Sequence, residues 1–158
     1  MAYNTIKIKK YADIIEEYTA TAVAITPGML LELASASTVQ AHSTAGGNAF
    51  PMFALEDEMQ GDGIDDAISA SAKVQCWIPG RGDIVYALVL DGNNIAVGDF
   101  VESGADGYVQ KHVADDAESS DATVTVYPNQ IIGQALEAVN MSNSSTVDPS
   151  NRIQIRII

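Results

Sequence analysis

Apolar and polar residues alternate with a period of two through several short stretches of this chain, and turn-forming residues separate these stretches. The end of the chain, Arg152 to Ile158, shows the pattern most clearly, because Ile153, Ile155 and Ile157 fall on one side of an extended backbone. Successive side chains of a β-strand point to opposite faces, so this period is typical of strands with one buried face. The pattern predicts an all-β fold with a closing C-terminal strand.

A second β signal lies in the middle of the chain. Residues 73–78 alternate in the same way and place Trp77 on the outer face of their strand. A large aromatic side chain there is a candidate contact for a partner protein, and covering by a loop of the same chain is the alternative. Turn formers follow at residues 79–82, and an apolar run continues from Ile84 to Leu90. This order predicts a hairpin with a buried second strand.

Helical patterns are weak by comparison. Residues 11–17 and 65–72 are the segments that suit short helices, and neither carries a sustained apolar stripe with the helical period. Three other segments are polar, acidic or rich in serine, which predicts exposed loops at residues 58–66, 114–121 and 140–151.

Two parts of the chain resemble each other in sequence. Residues 28–42 align without a gap on residues 98–112, and a shorter match follows further along each stretch. The identical pairs are Gly28/Gly98, Glu32/Glu102, Val39/Val109, Gln40/Gln110 and His42/His112. Such self-similarity predicts two structural copies, about residues 25–57 and 95–139, with the middle hairpin between them. Each copy is predicted to open with a turn at its glycine, followed by two strands joined by a tight turn.

The two histidines fall at equivalent places in this repeat. Histidine is a common general base and metal ligand, so His42 and His112 are the first candidates for chemistry. A residue that ends the same strand in both copies is more simply explained by one local hydrogen bond made twice. The sequence has no zinc-type cysteine and histidine spacing, no Gly-x-Ser-x-Gly motif and no glycine-rich phosphate loop. We therefore expect no catalytic residue, no metal and no cofactor.

One tripeptide, Arg81-Gly82-Asp83, matches a cell-adhesion motif. Its place in a turn after Pro79 and Gly80 explains the same residues through turn chemistry. A host-surface adhesion module is an alternative function, and a receptor or glycan bound at an exposed loop would distinguish it.

The net charge of −13 at pH 7 is strongly one-sided. Nucleic-acid binding requires the opposite sign, so the charge argues against it, and no stretch is long and apolar enough to span a membrane. All 21 acidic residues lie between Asp13 and Asp148. The basic residues outside that span are Lys7, Lys9, Lys10, Arg152 and Arg156. Basic ends on an acidic body are suited to contact with an acidic neighbour.

The N-terminal segment is the stronger candidate for an interaction. It alternates isoleucine with lysine before any turn signal: Ile6, Lys7, Ile8, Lys9 and Lys10. This pattern describes an edge strand that can add to a neighbour's sheet. Residues 1–24 are therefore predicted to form an arm and lead-in ahead of a single β-rich domain at residues 25–158. The first residues of the arm, 1 to about 12, are expected to be poorly anchored alone.

Several motifs, taken in order, resemble a known family. They are Thr26-Pro27-Gly28, Val39-Gln40-Ala41-His42, Phe53-Ala54-Leu55-Glu56-Asp57, Val97-Gly98-Asp99-Phe100-Val101-Glu102-Ser103, Ile132-Gly133-Gln134-Ala135-Leu136-Glu137-Ala138 and Arg152-Ile153-Gln154-Ile155-Arg156. Over most of residues 25–158 the chain resembles the capsid cement, or head decoration, proteins of tailed bacteriophages. The order and spacing of these short motifs make the resemblance specific.

The resemblance implies a compact β-barrel or β-tulip related to the β-clip class. It also implies a structural virion protein, made in the host cytoplasm, that sits as a homotrimer on the outer surface of the mature head. There it would brace the major capsid protein through non-covalent contacts, with no enzyme activity. Because the β-clip class also includes nucleotide hydrolases, a small hydrolase is a further alternative, which a pocket with convergent polar groups and a carboxylate of perturbed pKa would distinguish.

Overall fold

A computed structural model describes residues 5–9, 14–114, 127–142 and 151–158 of the protein. Within these ranges the regular elements are β-strands, which confirms the predicted all-β class. The strands are, in chain order, β1 (Lys7–Lys9), β2 (Ile15–Ala20), β3 (Leu31–Leu33), β4 (Thr38–Ala41), β5 (Phe53–Ala54), β6 (Lys73–Trp77), β7 (Ile84–Leu88), β8 (Asn94–Ile95), β9 (Phe100–Ser103), β10 (Val109–Lys111), β11 (Ile131–Ala135), β12 (Val139–Asn140) and β13 (Arg152–Ile157). No helix in the described ranges has the length and apolar content that a membrane crossing requires.

The two weak helix predictions are wrong. Ile15–Ala20 is strand β2, while residues 11–13 lie outside the described residues. Residues 65–72 form turns and bends, in which the backbone of Ile68 exchanges hydrogen bonds of 2.8 and 3.0 Å with Ile25. Neither segment has an apolar stripe that a helix could bury, so pairing with other extended segments satisfies its backbone instead.

The predicted loop at residues 58–66 is confirmed. Its residues are exposed apart from the half-buried Ile64. Most of the other two predicted loops, residues 114–121 and 140–151, lies outside the described residues.

The strands form two large sheets and one small ladder. The first sheet has the order β3-β4-β2-β6-β5, the second has the order β1-β7-β13-β11-β9-β10, and β8 pairs with β12. Two of the three isolated bridges in the described residues connect strands of these ladders, Leu30 with Phe53 and Val89 with Val109. The first bridge links the residue before β3 to β5, and the second links the residue after β7 to β10. In each large sheet the bridge connects the two ends of a series of five paired strands. These series are β3-β4-β2-β6-β5 and β7-β13-β11-β9-β10.

Strands β6 and β7 do not form the predicted hairpin. β6 pairs with β2 and β5 in the first sheet, whereas β7 pairs with β1 and β13 in the second. The alternation within each strand is a property of that strand alone and does not specify its partner. Residues 79–82 instead carry the chain from one sheet to the other. We call residues 14–78 the first unit, and the described residues from 83 onward, together with β1, the second unit.

The predicted repeat is visible in the pairing of the two units. In the β3–β4 hairpin Glu32 stands opposite Gln40, and in the β9–β10 hairpin Glu102 stands opposite Gln110. Each glutamine side-chain amide donates to the facing glutamate, at 2.7 Å in the first unit and 2.9 Å in the second. The two aligned segments therefore share their register as well as their residues.

The repeated glycines have one backbone role in both units. Gly28 and Gly98 each have a φ of 89°, in the left-handed region that favours glycine. Their N–H groups donate to the carbonyls of Ala54 and Ala135, both at 2.9 Å. This tight turn places the start of each hairpin against the neighbouring strand of its own unit.

The duplication extends beyond the segments that are similar in sequence. Ala54 pairs with Cys76, and its counterpart Ala135 pairs with Ile155, so β6 corresponds to β13. Strand β2 then corresponds to β7, because each lies on the far side of that strand in an antiparallel ladder. Residues 15–20 are consequently part of the first sheet and not of the predicted lead-in.

Two hydrophobic clusters form the interior. The smaller one consists of first-unit residues: Ala20, Ile25, Leu31, Val39, Met52, Ala54, Val74 and Cys76. The larger one contains the matching interior residues of the second unit, among them Ile95, Val101, Val109, Ile153 and Ile155. It also includes five first-unit side chains: Leu30, Ala49, Phe53, Leu55 and Trp77. Because the larger cluster spans both units, hydrophobic burial joins them into one body.

Candidate functional site

The predicted N-terminal arm belongs to the folded domain over its described residues. Strand β1 pairs antiparallel with β7, and the carbonyl of Ile6 accepts a hydrogen bond from the N–H of Tyr86 at 2.9 Å. The Ile6 side chain is fully buried in the larger cluster, and within β1 only Lys9 is exposed. The expectation of a poorly anchored segment is wrong here, because burial of Ile6 holds the strand in place. Lys10 lies outside the described residues.

A buried carboxylate anchors this strand. Glu56, which is 8% exposed, accepts a hydrogen bond from the Thr5 hydroxyl at 2.6 Å and one from the N–H of Ile6 at 3.3 Å. In the second unit the equivalent carboxylate, Glu137, accepts from the N–H and the side-chain amide of Gln154, at 2.9 and 3.1 Å. The same repeat position therefore holds the N-terminal segment in one unit and a neighbouring strand in the other.

Trp77 is not available as a partner contact, so that prediction is wrong. Its side chain lies on the opposite side of β6 from Cys76, as the alternation predicts, and it is fully buried beside Phe53. The cluster that contains both aromatic side chains spans the two units, so the second unit covers this face. The pattern of one strand gives the face on which a side chain lies, but not what packs onto that face.

His42 connects the two units. Its ring is 3% exposed, with Nδ1 2.8 Å from the hydroxyl oxygen of Ser103 in the second unit and Nε2 2.9 Å from the backbone carbonyl of Asn48. A carbonyl only accepts, so Nε2 donates to Asn48, and in the neutral ring Nδ1 then accepts from the Ser103 hydroxyl. Both ring nitrogens are used in structural hydrogen bonds, one of them to the backbone as the sequence predicts.

His112 shares the backbone position of His42 and part of its side-chain surroundings, because Glu32 lies 3.8 Å from the His42 ring and its counterpart Glu102 lies beside the His112 ring. The N–H of His112 donates to the carbonyl of Phe100 at 2.8 Å, and the N–H of His42 donates to the carbonyl of Leu30 at 2.9 Å. The His112 ring is half-buried, and its Nδ1 lies 2.5 Å from Oε2 of Glu102. The predicted equivalence therefore holds for the backbone and only in part for the rings, because Ser103 faces His42 and has no counterpart beside His112 in the hydrogen bonds of the described residues.

The single cysteine is a packing residue. Cys76 lies in the smaller cluster, and burial raises the pKa of its thiol to about 12. A thiol with this pKa is almost entirely protonated at neutral pH, and only the thiolate is a good nucleophile or metal ligand. Among the described residues no group of three or more histidine, cysteine, aspartate or glutamate side chains could hold a metal ion.

The adhesion-like tripeptide lies at the junction between the units. Arg81 is exposed, but Asp83 is fully buried, and its carboxylate accepts a hydrogen bond from the N–H of Gly80 at 2.8 Å. A receptor that recognised the tripeptide would need this carboxylate at the surface. The geometry therefore gives the residues the turn role that their sequence predicts.

A cleft of about 440 Å³ opens in the first unit, and the sequence patterns did not reveal it. Its walls are mostly apolar, with the exposed side chains of Leu33 and Phe50 among them. The lining residues are Glu16, Tyr18, Leu31, Glu32, Leu33, His42, Asn48, Phe50, Met52 and Ile78. They come from separate segments that only the sheet pairing brings together, so no local motif could indicate the cleft.

Acidic groups stand on the apolar wall of this cleft. The Tyr18 hydroxyl donates to Glu16, and this hydrogen bond raises the pKa of Tyr18. Burial would raise the pKa of Glu32, but hydrogen bonds from Gln40 and Ser43 outweigh it and hold the pKa below the ordinary value. No lysine or arginine is present among the described residues that line the cleft. The arrangement suits a ligand that carries both apolar and basic groups.

Comparison with known proteins identifies the fold. No family model matches the chain, and no curated protein matches it. Its structure is similar to that of the N base of the head fiber gp8.5 in bacteriophage phi29, with a TM-score of 0.53 and 13% sequence identity. The match covers 92% of this chain and 95% of that chain. The two proteins therefore share a fold over nearly their whole described length.

Proposed function

We propose that this protein is a structural component of a bacteriophage head. The observation that carries the proposal is the fold likeness to the base of a head fiber, which extends over 92% of this chain and 95% of that one. The sequence motifs that resemble head decoration proteins support the same class of protein. The motifs and the fold likeness are separate lines of support, because a likeness at 13% sequence identity does not rest on shared motifs.

The finer proposal is that the protein binds the outer surface of the mature head and braces the major capsid protein without covalent bonds. A ligand that binds only the mature shell stabilises that form, and weak contacts repeated over a shell add to a large total. The homotrimer implied by the resemblance belongs to this proposal. Three acidic chains would need apolar contacts between them, and Phe100 and Ile131 are large apolar side chains exposed on the second unit.

Heads from a phage that lacks this protein provide the test. Added protein should bind these heads at a saturating number of sites and raise the temperature at which they release their DNA. An unrelated acidic protein of similar net charge serves as the control for non-specific binding. Cryo-electron microscopy of the reconstituted heads locates the bound density on the outside or the inside of the shell. The proposal fails if the heads do not bind the protein and virions of the encoding phage do not contain it.

A further inference from the structure

The two units differ at one sheet edge. In the second unit β1 lies along β7, where Lys7 stands opposite Val85 and the N–H of Tyr86 donates to the carbonyl of Ile6. Strand β2 is the counterpart of β7 in the first unit. Among the described residues, no strand covers the corresponding part of β2.

The register of the two ladders shows which residues correspond at this edge. Glu16 pairs with Cys76 in the first unit, and Val85 pairs with Ile155 in the second. Cys76 and Ile155 are equivalent, so Glu16 occupies the place of Val85. The next residue on β2, Glu17, is therefore the counterpart of Tyr86, whose N–H donates to the carbonyl of Ile6 beside β1.

The backbone of Glu17 points toward this uncovered edge. Further along β2, the N–H groups of Thr19 and Thr21 donate to the carbonyls of Ser37 and Val39 on the same edge, at 3.1 and 3.0 Å. In an antiparallel ladder alternate residues direct their hydrogen bonds to opposite edges, so the N–H of Glu17 points with those of the two threonines. The described residues provide no backbone acceptor for it. Such an edge can accept an added strand.

The side chains beside the edge indicate what kind of strand it accepts. In the second unit Lys7 lies beside Val85. A basic residue at the same position of an added strand would lie beside Glu16 in the first unit. Glu16 and Glu32 both line the neighbouring cleft, which also exposes Phe50. A strand with alternating basic and apolar side chains therefore directs its basic side chains to the acidic face that lines the cleft, and its apolar side chains to the opposite face of the sheet.

We propose that the β2 edge and the adjoining cleft bind an extended segment of another protein chain, in which apolar and basic residues alternate, by adding it to the first sheet as a strand. Strand β1 has this composition and already covers the equivalent edge of the second unit. The bound segment takes the position on β2 that β1 takes on β7. This inference does not depend on the proposed role in a phage head.

A peptide with the sequence of residues 4–10 is the probe, because it carries the side chains of β1. Fluorescence anisotropy of the labelled peptide with the full-length protein should show saturable binding. Amide hydrogen exchange measured by NMR should slow about tenfold or more at Glu17 near saturation and stay unchanged at Tyr86. The proposal is overturned if amide hydrogen exchange slows at neither residue. It is also overturned if exchange slows at Tyr86 alone, because the peptide would then have replaced β1.

Three variants test the geometry of the site. Glu17→Pro removes the N–H at the uncovered edge, where no ladder bond of β6 is lost, and should weaken peptide binding about tenfold. Glu16→Gln should weaken it about threefold, with an effect that fades at high salt. Glu58→Gln, in the exposed loop, is the matched control and should change nothing.

Two results would contradict the proposed site. One is equal affinity of the wild type and Glu16→Gln at low salt. The other is equally tight binding of a peptide with the same residues in scrambled order, which would show attraction by charge alone. Should Glu17→Pro fail to fold, the Glu16→Gln comparison and the amide exchange still decide between strand addition and its absence.

Discussion

The same face of the two units has different surroundings. In the first unit, Phe53 on β5 stands beside Trp77 on β6, and both side chains are fully buried. Their counterparts in the second unit, Gln134 and Arg156, stand beside each other on β11 and β13, where Gln134 is half-buried and Arg156 is exposed. The aromatic pair is covered by the other unit, and the polar pair is not.

This difference shows how one fold used twice becomes a single body. The residues that face inward stay apolar in both units, as Cys76 and Ile155 illustrate, because each unit must bury its own interior. The residues that face outward depend on what covers them. Large aromatic side chains occur on the covered face, and polar side chains on the exposed one.

The largest expected effect comes from the covered face. Trp77→Ala should lower the free energy of unfolding by about 3–5 kcal/mol, because a large buried side chain leaves a cavity between the units. Arg156→Ala, at the equivalent exposed position, should change it by less than about 0.5 kcal/mol. Urea unfolding measures both values. Equal losses in the two variants would contradict the asymmetry of the faces.

The Cys76 thiol adds a local readout to this comparison. Its pKa of about 12 makes it slow to react in the native protein. Trp77→Ala should speed labelling of the thiol by a disulfide reagent, because the loosened face lies on the same strand. Unchanged labelling with a lower global stability would show that the first unit keeps its packing when the contact between the units is lost.

The N-terminal strand provides the next effect, since it belongs to the second unit only. Ile6→Ala should cost about 2–5 kcal/mol, because this side chain is fully buried. Ile8→Ala is the matched control, and its smaller effect follows from a half-buried side chain. Thermal unfolding of the two variants distinguishes them. Equal melting temperatures for Ile6→Ala and the wild type would restore the idea of a detachable arm.

The two histidines should also differ in how much they contribute to the free energy of unfolding. His42→Ala leaves the buried Ser103 hydroxyl and the Asn48 carbonyl without their partner, so we expect a loss of about 1–3 kcal/mol. His112→Ala removes a more exposed ring with one carboxylate partner, and about 1 kcal/mol or less is expected. Urea midpoints at pH 7 give both numbers. A larger loss for His112→Ala would contradict the role of His42 as a connection between the units.

The smallest effect concerns the acid dependence of stability. The pKa of Glu32 lies below its ordinary value of 4.5 because hydrogen bonds favour the charged form despite burial. The folded chain therefore binds this proton less readily than the unfolded chain, so Glu32 contributes stability above about pH 4.5 and loses that contribution as the pH falls through the lower folded pKa. Glu32→Gln should reduce the fall in the urea midpoint between about pH 5 and 3. An unchanged pH profile, with Glu58→Gln as the control, would contradict this.

Local features of the fold could be predicted from the sequence. The alternation in residues 152–158 predicts β13, and the matched glycines predict the turn that begins each hairpin, because side-chain period and positive φ are properties of a few neighbouring residues. The same reasoning gives Trp77 its correct face of β6. These predictions succeed because nothing distant in the chain is needed to decide them.

Long-range features could not be predicted from the sequence. The wider duplication has no sequence signal at pairs such as Glu16/Val85 or Trp77/Arg156, because those positions face different surroundings in the two units. The covering of Trp77 depends on how one sheet packs on the other. The cleft and the uncovered edge of β2 likewise appear only once the sheets are assembled.

Strand β13 lies between β7 and β11 in the second sheet, although it follows all the other described strands in the sequence. During synthesis the first unit has all its strands as soon as β6 has left the ribosome. The second unit lacks an inner strand until Ile157 emerges, and domains generally form as units in the order of their synthesis. We therefore expect the first unit to form on the nascent chain and to display its face around Trp77 until β13 has emerged and the second unit can form. That interval is when a chaperone would find an apolar surface to hold.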